Sequence, residues 1–305
     1  MIIKIDGKGI EAKEGMTILD CAKSVGINIP SLCNQKGIGH RAGCMICAVF
    51  DLKTNNFVPS CVLKAVDGQE FEFETDRVLE FRTQCLKLIL QEHKGDCVAP
   101  CHKACPYGFN IPIFLEYVSA NNTEAIAKMM ENAPDCKNCK QLCMKVCRRN
   151  LVDKAVEIVS LIDMYRTGEP TAEKSRDKRY SHTLGRPSKE DLAHLVETST
   201  DKNSCLQCHC RKSEDCQLRD LATEHKIGTQ KGLSHRDLTR LNSGKYSFES
   251  AKCVLCGECS QEEKFSMWGR GNKVLPKLLD DAEISEKEAK NCPVGAISRN
   301  FSIND

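Results

Sequence analysis

Four groups of cysteines punctuate this sequence, at spacings that suit soft-metal ligation. Cys33, Cys44, Cys47 and Cys61 follow the pattern C-x10-C-x2-C-x13-C. Cys97, Cys101, Cys105, Cys136, Cys139, Cys143 and Cys147 form a second group, with His93 just ahead of it as an eighth soft or borderline ligand. Cys205, Cys208, Cys210 and Cys216 form a third, and Cys253, Cys256, Cys259 and the distant Cys292 a fourth. Thiolates in such sets hold either zinc or iron-sulfide clusters. Four-cysteine zinc sites usually pair two C-x2-C knuckles, which the first group does not do. The fourth group, C-x2-C-x2-C with a remote Cys-Pro, is the signature that wraps a 4Fe-4S cubane.

The cysteine arithmetic supports iron in every group. The groups take 19 of the 21 cysteines and leave Cys21 and Cys85, both inside predicted helices and both expected to be small buried apolar residues. Eight ligands in the second group would fill two cubanes, with their partition left open. His93 stands there as ligand or helix-end residue, since imidazole can replace a thiolate. In the third group Asp201 and His209 compete with the four thiols as ligands, whereas His102 and the other histidines read as solvated. The fourth group has room for one cubane, because a two-cluster site would need a further cysteine after Cys259 and two more near Cys292. The expected complement is four 4Fe-4S clusters in the last three groups and one further cluster in the first, with iron held through these same residues.

The bulk composition agrees. So many thiols in a chain of 305 residues are not a disulfide-stapled mini-domain, and in a reducing compartment they read as metal ligands. The formal net charge of +2 counts cysteines as neutral. Iron-bound thiolates would make the holoprotein mildly acidic. Scattered Lys and Arg with 5% aromatic residues exclude the basic, stacking footprint of a nucleic-acid binder. No apolar run approaches the ~20 residues of a membrane span, and Met1 to Asp6 reads as a strand rather than a signal peptide, so a soluble, cytoplasmic protein is expected. No G-x-G-x-x-G after a strand and no Walker loop is present, so no catalytic residue is assigned.

The elements that must position these ligands suggest an α+β, multidomain chain. Residues 2 to 13 alternate around Gly7 as a hairpin, Thr17 to Val25 is a short helix closed by Gly26, and residues 47 to 52, 57 to 63 and 70 to 74 are strand candidates. An amphipathic helix follows over 76 to 92. Residues 111 to 132 and 154 to 166 read as helix. Residues 167 to 190, rich in Gly, Pro, Ser, Thr and charge, read as a solvated connector. The last third offers only sparse helix between its cysteines. The expected domains are 1–78, 79–166, a connector over 167–200, and a metal-organised region over 201–305.

Family resemblances sharpen these expectations. The β-grasp opening and its first cysteine set resemble plant-type 2Fe-2S ferredoxins, and in their longer first gap the amino-terminal domain of the complex I large iron-sulfur subunit and of iron-only hydrogenases. The segments Cys101-His102-Lys103-Ala104-Cys105-Pro106, Asn110-Ile111-Pro112 and Cys143-x3-Cys147-Arg148-Arg149-Asn150 resemble the α-helical two-cluster ferredoxin domain of the glutamate synthase small subunit. The run Gln217-Leu218-Arg219-Asp220-Leu221-Ala222 and the Met267-Trp268-Gly269-Arg270-Gly271 stretch resemble the 4Fe-4S lobes of complex I. These resemblances imply an electron-transfer subunit similar to those of electron-bifurcating hydrogenases and transhydrogenases, and the multiple low-potential clusters favour an anaerobic host. Its partners would be a flavin-containing subunit of the NADH-oxidising type and a further redox subunit. Service to a formate dehydrogenase or another oxidoreductase without bifurcation is the alternative, and a zinc scaffold a third.

Overall fold

The computed structural model describes residues 1–34, 42–93, 96–137, 139–151, 154–167, 205–206, 208–212, 215–228, 240–261, 263–270 and 274–300. The expected connector after Thr167, Asp201 and Gly271 lie outside the described residues. The chain divides into two compact units. One comprises Met1–His93, Asp215–His235 and Cys253–Val294; the other comprises Lys94–Glu214, Arg236–Lys252 and Gly295–Asp305.

The first unit opens with a mixed five-stranded sheet in the order β2-β1-β5-β3-β4. Its strands are β1 (Ile2–Ile5), β2 (Lys8–Glu11), β3 (Ala48–Asp51), β4 (Asn56–Pro59) and β5 (Glu70–Glu72). The β1–β5 pairing is parallel and the others are antiparallel. Gly7, at φ +78°, allows the tight turn between β1 and β2. Alternation puts Ile3 and Ile5 inward, where they meet Ile18, Leu19, Cys21 and Ala22 of α1 (Ile18–Ser24). A capping box starts α1: the Thr17 side chain accepts the Asp20 N–H at 3.1 Å, and the Asp20 carboxylate accepts the Thr17 N–H at 3.1 Å. Cys21 is buried in this core as expected, but Cys85 is only half-buried.

The second strand candidate stops at Pro59 rather than residue 63. Residues 60 to 63 turn instead, the Ser60 hydroxyl donating to the Cys47 carbonyl at 2.7 Å, which carries Cys61 back toward Cys47. Helix α2 (Asp76–Glu92) buries Val78, Arg82 and Leu86 at four-residue intervals and stacks Phe81 on Phe57 of β4 at 4.0 Å between centroids. This unit also holds α8 (Gln217–Glu224), α9 (Glu286–Asn291) and a two-stranded sheet of β8 (Phe265–Trp268) and β9 (Leu275–Leu278). Thr83 of α2 and His225 at the end of α8 share a hydrogen bond of 2.9 Å.

The second unit packs short helices: α3 (Pro100–Ala104), α4 (Ile111–Ser119), α5 (Thr123–Met130), α6 (Leu142–Lys145) and α7 (Ile158–Thr167). The stretch expected as one helix over 111 to 132 is two, because Asn121 adopts a left-handed backbone (φ 52°) and the Asn122 side chain caps the second helix at Ala125. Phe114, Ile126, Ile158 and Ile162 form the core between them. A three-stranded sheet, β10-β7-β6, completes the unit from β6 (Arg240–Ser243), β7 (Tyr246–Glu249) and β10 (Ile297–Arg299). Among the described residues, no helix is long and apolar enough to cross a membrane.

Candidate metal centres

In the first unit the sulfurs of Cys33, Cys44, Cys47 and Cys61 come together as two hydrogen-bonded pairs. The Cys33 thiol donates to Cys44, which holds the Cys44 pKa down at about 6, and the Cys61 thiol donates to Cys47, which holds it at about 7. The two donors are pushed up by those same bonds and by burial. Two pairs of sulfurs are what a two-iron rhombus needs, since each iron takes two protein ligands. Met45, between Cys44 and Cys47, has φ 56°, a conformation costly for a long side chain. It turns the Ile46 N–H onto the Cys44 sulfur at 3.5 Å. Behind the loop lies Arg82, 1% exposed, whose Nη2 and Nε donate to the Ala48 carbonyl at 2.7 and 3.2 Å. Sequence spacing did not single out this arginine. Burial draws its pKa down to about 10, and Cys47 is the first of the charges opposing that shift.

The fourth cysteine set is also gathered in the first unit. Leu255 sits at φ 55° between Cys253 and Cys256, and its N–H reaches the Cys253 sulfur at 3.4 Å, repeating the device at Met45. Cys253 and Cys292 are buried and Cys256 and Cys259 half-buried. Burial raises Cys256 and Cys259, and the nearby Cys253 and Cys292 add to the effect in both. The capping box of α9, Ser285 with Glu288, and the C-terminal position of Cys292 on that helix fix the remote ligand against the loop.

The seven cysteines of the second group fall into two neighbourhoods. Burial pushes Cys136 up to about 12 and Cys143 to about 11, and both are surrounded by Cys105 and Cys139. Cys101 faces Cys205 and Cys147 first and Cys143 last. Cys97 is exposed, and His93 caps the C-terminus of α2 in the first unit, its N–H donating to the Ile89 carbonyl at 3.1 Å.

In the third group Cys210 is buried, and a Cβ added at Gly295 would lie 2.2 Å from its sulfur, so only glycine fits there. Cys216, also buried, precedes α8 in the first unit. His209, expected to be solvated or a rival ligand, is half-buried with its pKa lowered to about 4 by burial. Its carbonyl accepts from Lys252 at 3.1 Å. Burial raises the thiols of Cys101, Cys136, Cys143, Cys147, Cys208, Cys256 and Cys259, so ligation of a metal by these would release protons.

Among the described residues, no three His, Cys, Asp or Glu side chains converge on a single-ion point. The donor chemistry nevertheless fits iron-sulfide clusters, with grouped soft sulfurs held in loops that turn N–H groups onto them.

Residues 1–76 match the family of 2Fe-2S iron-sulfur cluster binding domains, so this part of the chain is a 2Fe-2S domain. Over 168 residues the chain is 30% identical to the NADP-reducing hydrogenase subunit HndD of Solidesulfovibrio fructosivorans, covering 48% of this chain and 28% of that subunit. Over 93 residues it is 32% identical to the NADH-ubiquinone oxidoreductase 75 kDa subunit of Reclinomonas americana, covering 30% of this chain and 14% of that subunit. Over 95 residues it is 32% identical to the NADPH-Fe(3+) oxidoreductase subunit alpha of Geobacter sulfurreducens, covering 31% and 11%. The chain thus spans less than a third of the length of these curated relatives. A chain of the NAD+-reducing NiFe-hydrogenase, crystallised in its H2-reduced state, superposes with a TM-score of 0.54 at 15% identity, covering 98% of this chain and 86% of that one. At that identity the likeness is one of fold.

Proposed function

We propose that this chain is an electron-transfer subunit of a soluble NAD(P)-linked oxidoreductase complex of the hydrogenase or transhydrogenase type. It would carry one 2Fe-2S and four 4Fe-4S clusters and relay electrons between a flavin-containing subunit and a further redox subunit. The observation that carries this reading is the paired arrangement of Cys33 with Cys44 and Cys47 with Cys61, within residues that match a 2Fe-2S domain. Bound clusters supply one-electron redox chemistry. The chain's own residues hold them at fixed places, exclude water from the sulfurs and tune potentials through N–H groups and buried cations. Relatives named as subunits of NADP- and NADH-linked enzymes support the choice of complex, and electron bifurcation at the partner flavin is the favoured mode.

The test is anaerobic purification followed by iron and acid-labile sulfide analysis and electron paramagnetic resonance of the reduced chain. About 18 irons per chain are expected for this complement. A colourless preparation holding zinc and no labile sulfide would overturn it. Copurification with a flavoprotein that reduces the chain from NADH or NADPH tests the partner assignment, and a flavin-free complex would argue instead for a module supplying another oxidoreductase.

A further inference from the structure

In the second unit, four cysteines that the sequence assigns to two groups line a single pocket. Cys101 lies in the first turn of α3, Cys147 follows α6, and Cys205 and Cys208 come from the segment beyond the expected connector. The remaining walls of the pocket are largely apolar, among them Leu115, Val156 and Ile158. All four cysteines pack on the helical core. Their thiols are one another's electrical neighbours. Burial raises Cys101, then Cys205 and Cys147 add to it; burial raises Cys208, and Cys205 and Cys147 add there too.

Three further features point to an anionic, sulfur-rich occupant. Burial raises the Cys147 thiol, and the backbone amides of Val156 and Arg149 beside it oppose that rise, as does the Arg149 charge. Helix α7 begins at Ile158 rather than at residue 154, which leaves Val156 at the pocket wall. Two cations, Arg148 and Arg149, line the same pocket, and Arg149 is 2% exposed. Burying cations against neutral thiols would be costly, whereas four thiolates around an iron-sulfide core are net negative. Arg148 is held by Asp96 at 2.5 Å, yet its Nε is buried with no hydrogen-bond partner among the described residues. Bound sulfide or a ligating thiolate would supply that acceptor.

We propose that Cys101, Cys147, Cys205 and Cys208 together ligate one 4Fe-4S cluster, a composite site joining the helical core to the segment at 205–208. The inference rests on the multi-cluster reading above and goes beyond it by reassigning Cys205 and Cys208 away from Cys210 and Cys216, which leaves those two thiols short of the four ligands of a separate cubane and puts the composite-site iron count at about 14 per chain rather than about 18. Cys105, Cys136, Cys139 and Cys143 remain as a separate neighbourhood.

The experiment compares the full-length chain with Cys101→Ala, Cys205→Ala and the double variant, each purified anaerobically. Iron content and Mössbauer cluster counts are read, and retention of the 2Fe-2S signal serves as the mark of a folded chain. A shared cluster predicts that each single variant loses about four irons and that the double loses no more. Loss of about eight irons in the double would place the two cysteines on different clusters and overturn the proposal. Should the variants fail to fold, timed iron chelation of the unaltered chain with thiol alkylation provides the second measurement. The four cysteines must become reactive in one kinetic phase, and separate phases for Cys101 and Cys205 refute the site. An unaltered chain that contains no iron would instead defeat the underlying functional reading, so the two failures are distinguishable.

Discussion

Replacing Arg82 by methionine removes a charge behind the first cysteine loop while roughly keeping its volume. Arg82 is fully buried, donates twice to the Ala48 carbonyl, and lies 4.7 Å from the Phe73 ring centroid. The fall of its pKa from 12.5 to about 10 corresponds to roughly 3 kcal/mol spent holding the cation out of water. Methionine relieves that cost and forfeits a charge-assisted hydrogen bond of about 1.5–3 kcal/mol and a cation–π contact of about 1 kcal/mol. The net change in stability is therefore expected to be small, within about 1 kcal/mol of zero. The reduction potential should respond more clearly. The guanidinium is bonded to the residue next to Cys47, so a cluster held by Cys47 would feel its charge across on the order of 10 Å, where an effective dielectric of about 20 gives roughly 1.7 kcal/mol. That converts to a 2Fe-2S potential roughly 70 mV more negative at about 59 mV per tenfold change. Redox titration followed by electron paramagnetic resonance measures it, with Arg82→Lys as the charge-retaining control. An unchanged potential in the methionine variant, or an equal fall in the lysine variant, would refute the electrostatic role.

The remaining expectations concern single sites. Cys256→Ser should abolish one 4Fe-4S signal and spare the 2Fe-2S signal, checked by electron paramagnetic resonance, since the two sets of ligands sit on separate loops. Glu116 and Arg211 form an ion pair of 2.9 Å, 6% and 7% exposed, and Arg211 also donates to Asn300 at 2.9 Å, so Glu116→Ala should cost about 3 kcal/mol in denaturant unfolding by removing the carboxylate from a buried cation. Thr17→Ala should cost about 1 kcal/mol by removing the α1 cap. The Thr17 hydrogen bond also lowers the Asp20 pKa, so the part of the difference carried by the Asp20 carboxylate is present above the unfolded value near ~3.9 and lost as pH falls through the lower folded value; a difference between wild type and variant that does not shrink on acidification would contradict it. Anaerobic iron removal should expose the amides of α3 and α6 to hydrogen exchange while those of β1 and β3 stay protected.

Legibility followed the range of the interactions. The hairpin around Gly7, the cap at Thr17 and the apolar stripe of α2 are written in residues a few positions apart, and they fold as their pattern implies. The break at Asn121 was also local, but its signal, two asparagines inside an apolar helical repeat, was weaker than the repeat itself. Strands β6 to β10 carry no comparable pattern. Leu241 is 39% and Trp268 67% exposed, and β10 is fixed by pairing with the distant β7, Ile297 with Phe248. At the sites, spacing named the sulfurs but not their company. Arg82 is 34 residues from the carbonyl it holds, and Cys205 is 58 residues from Cys147, so neither association could be read from adjacent letters.

The second unit shows why such sites belong to folding as well as to function. Its helices run from four to ten residues, below the roughly 12–15 at which even good isolated helices become marginal in water. Two of them, α3 and α6, have single turns' worth of backbone bonding and no side-chain cap at their N-termini. Each carries or adjoins cysteines of the proposed clusters: Cys101 and Cys105 at α3, Cys143 and Cys147 at α6. Tertiary packing on Phe114 and Ile162 accounts for α4 and α7, which bury apolar faces. For α3 and α6 the natural anchor is ligation, because one cluster tethers four chain segments at once and restricts the unfolded chain as a cross-link does. On this reading the residues that conduct electrons are also those that close the fold, and a cysteine variant should be judged on exchange protection together with redox signal.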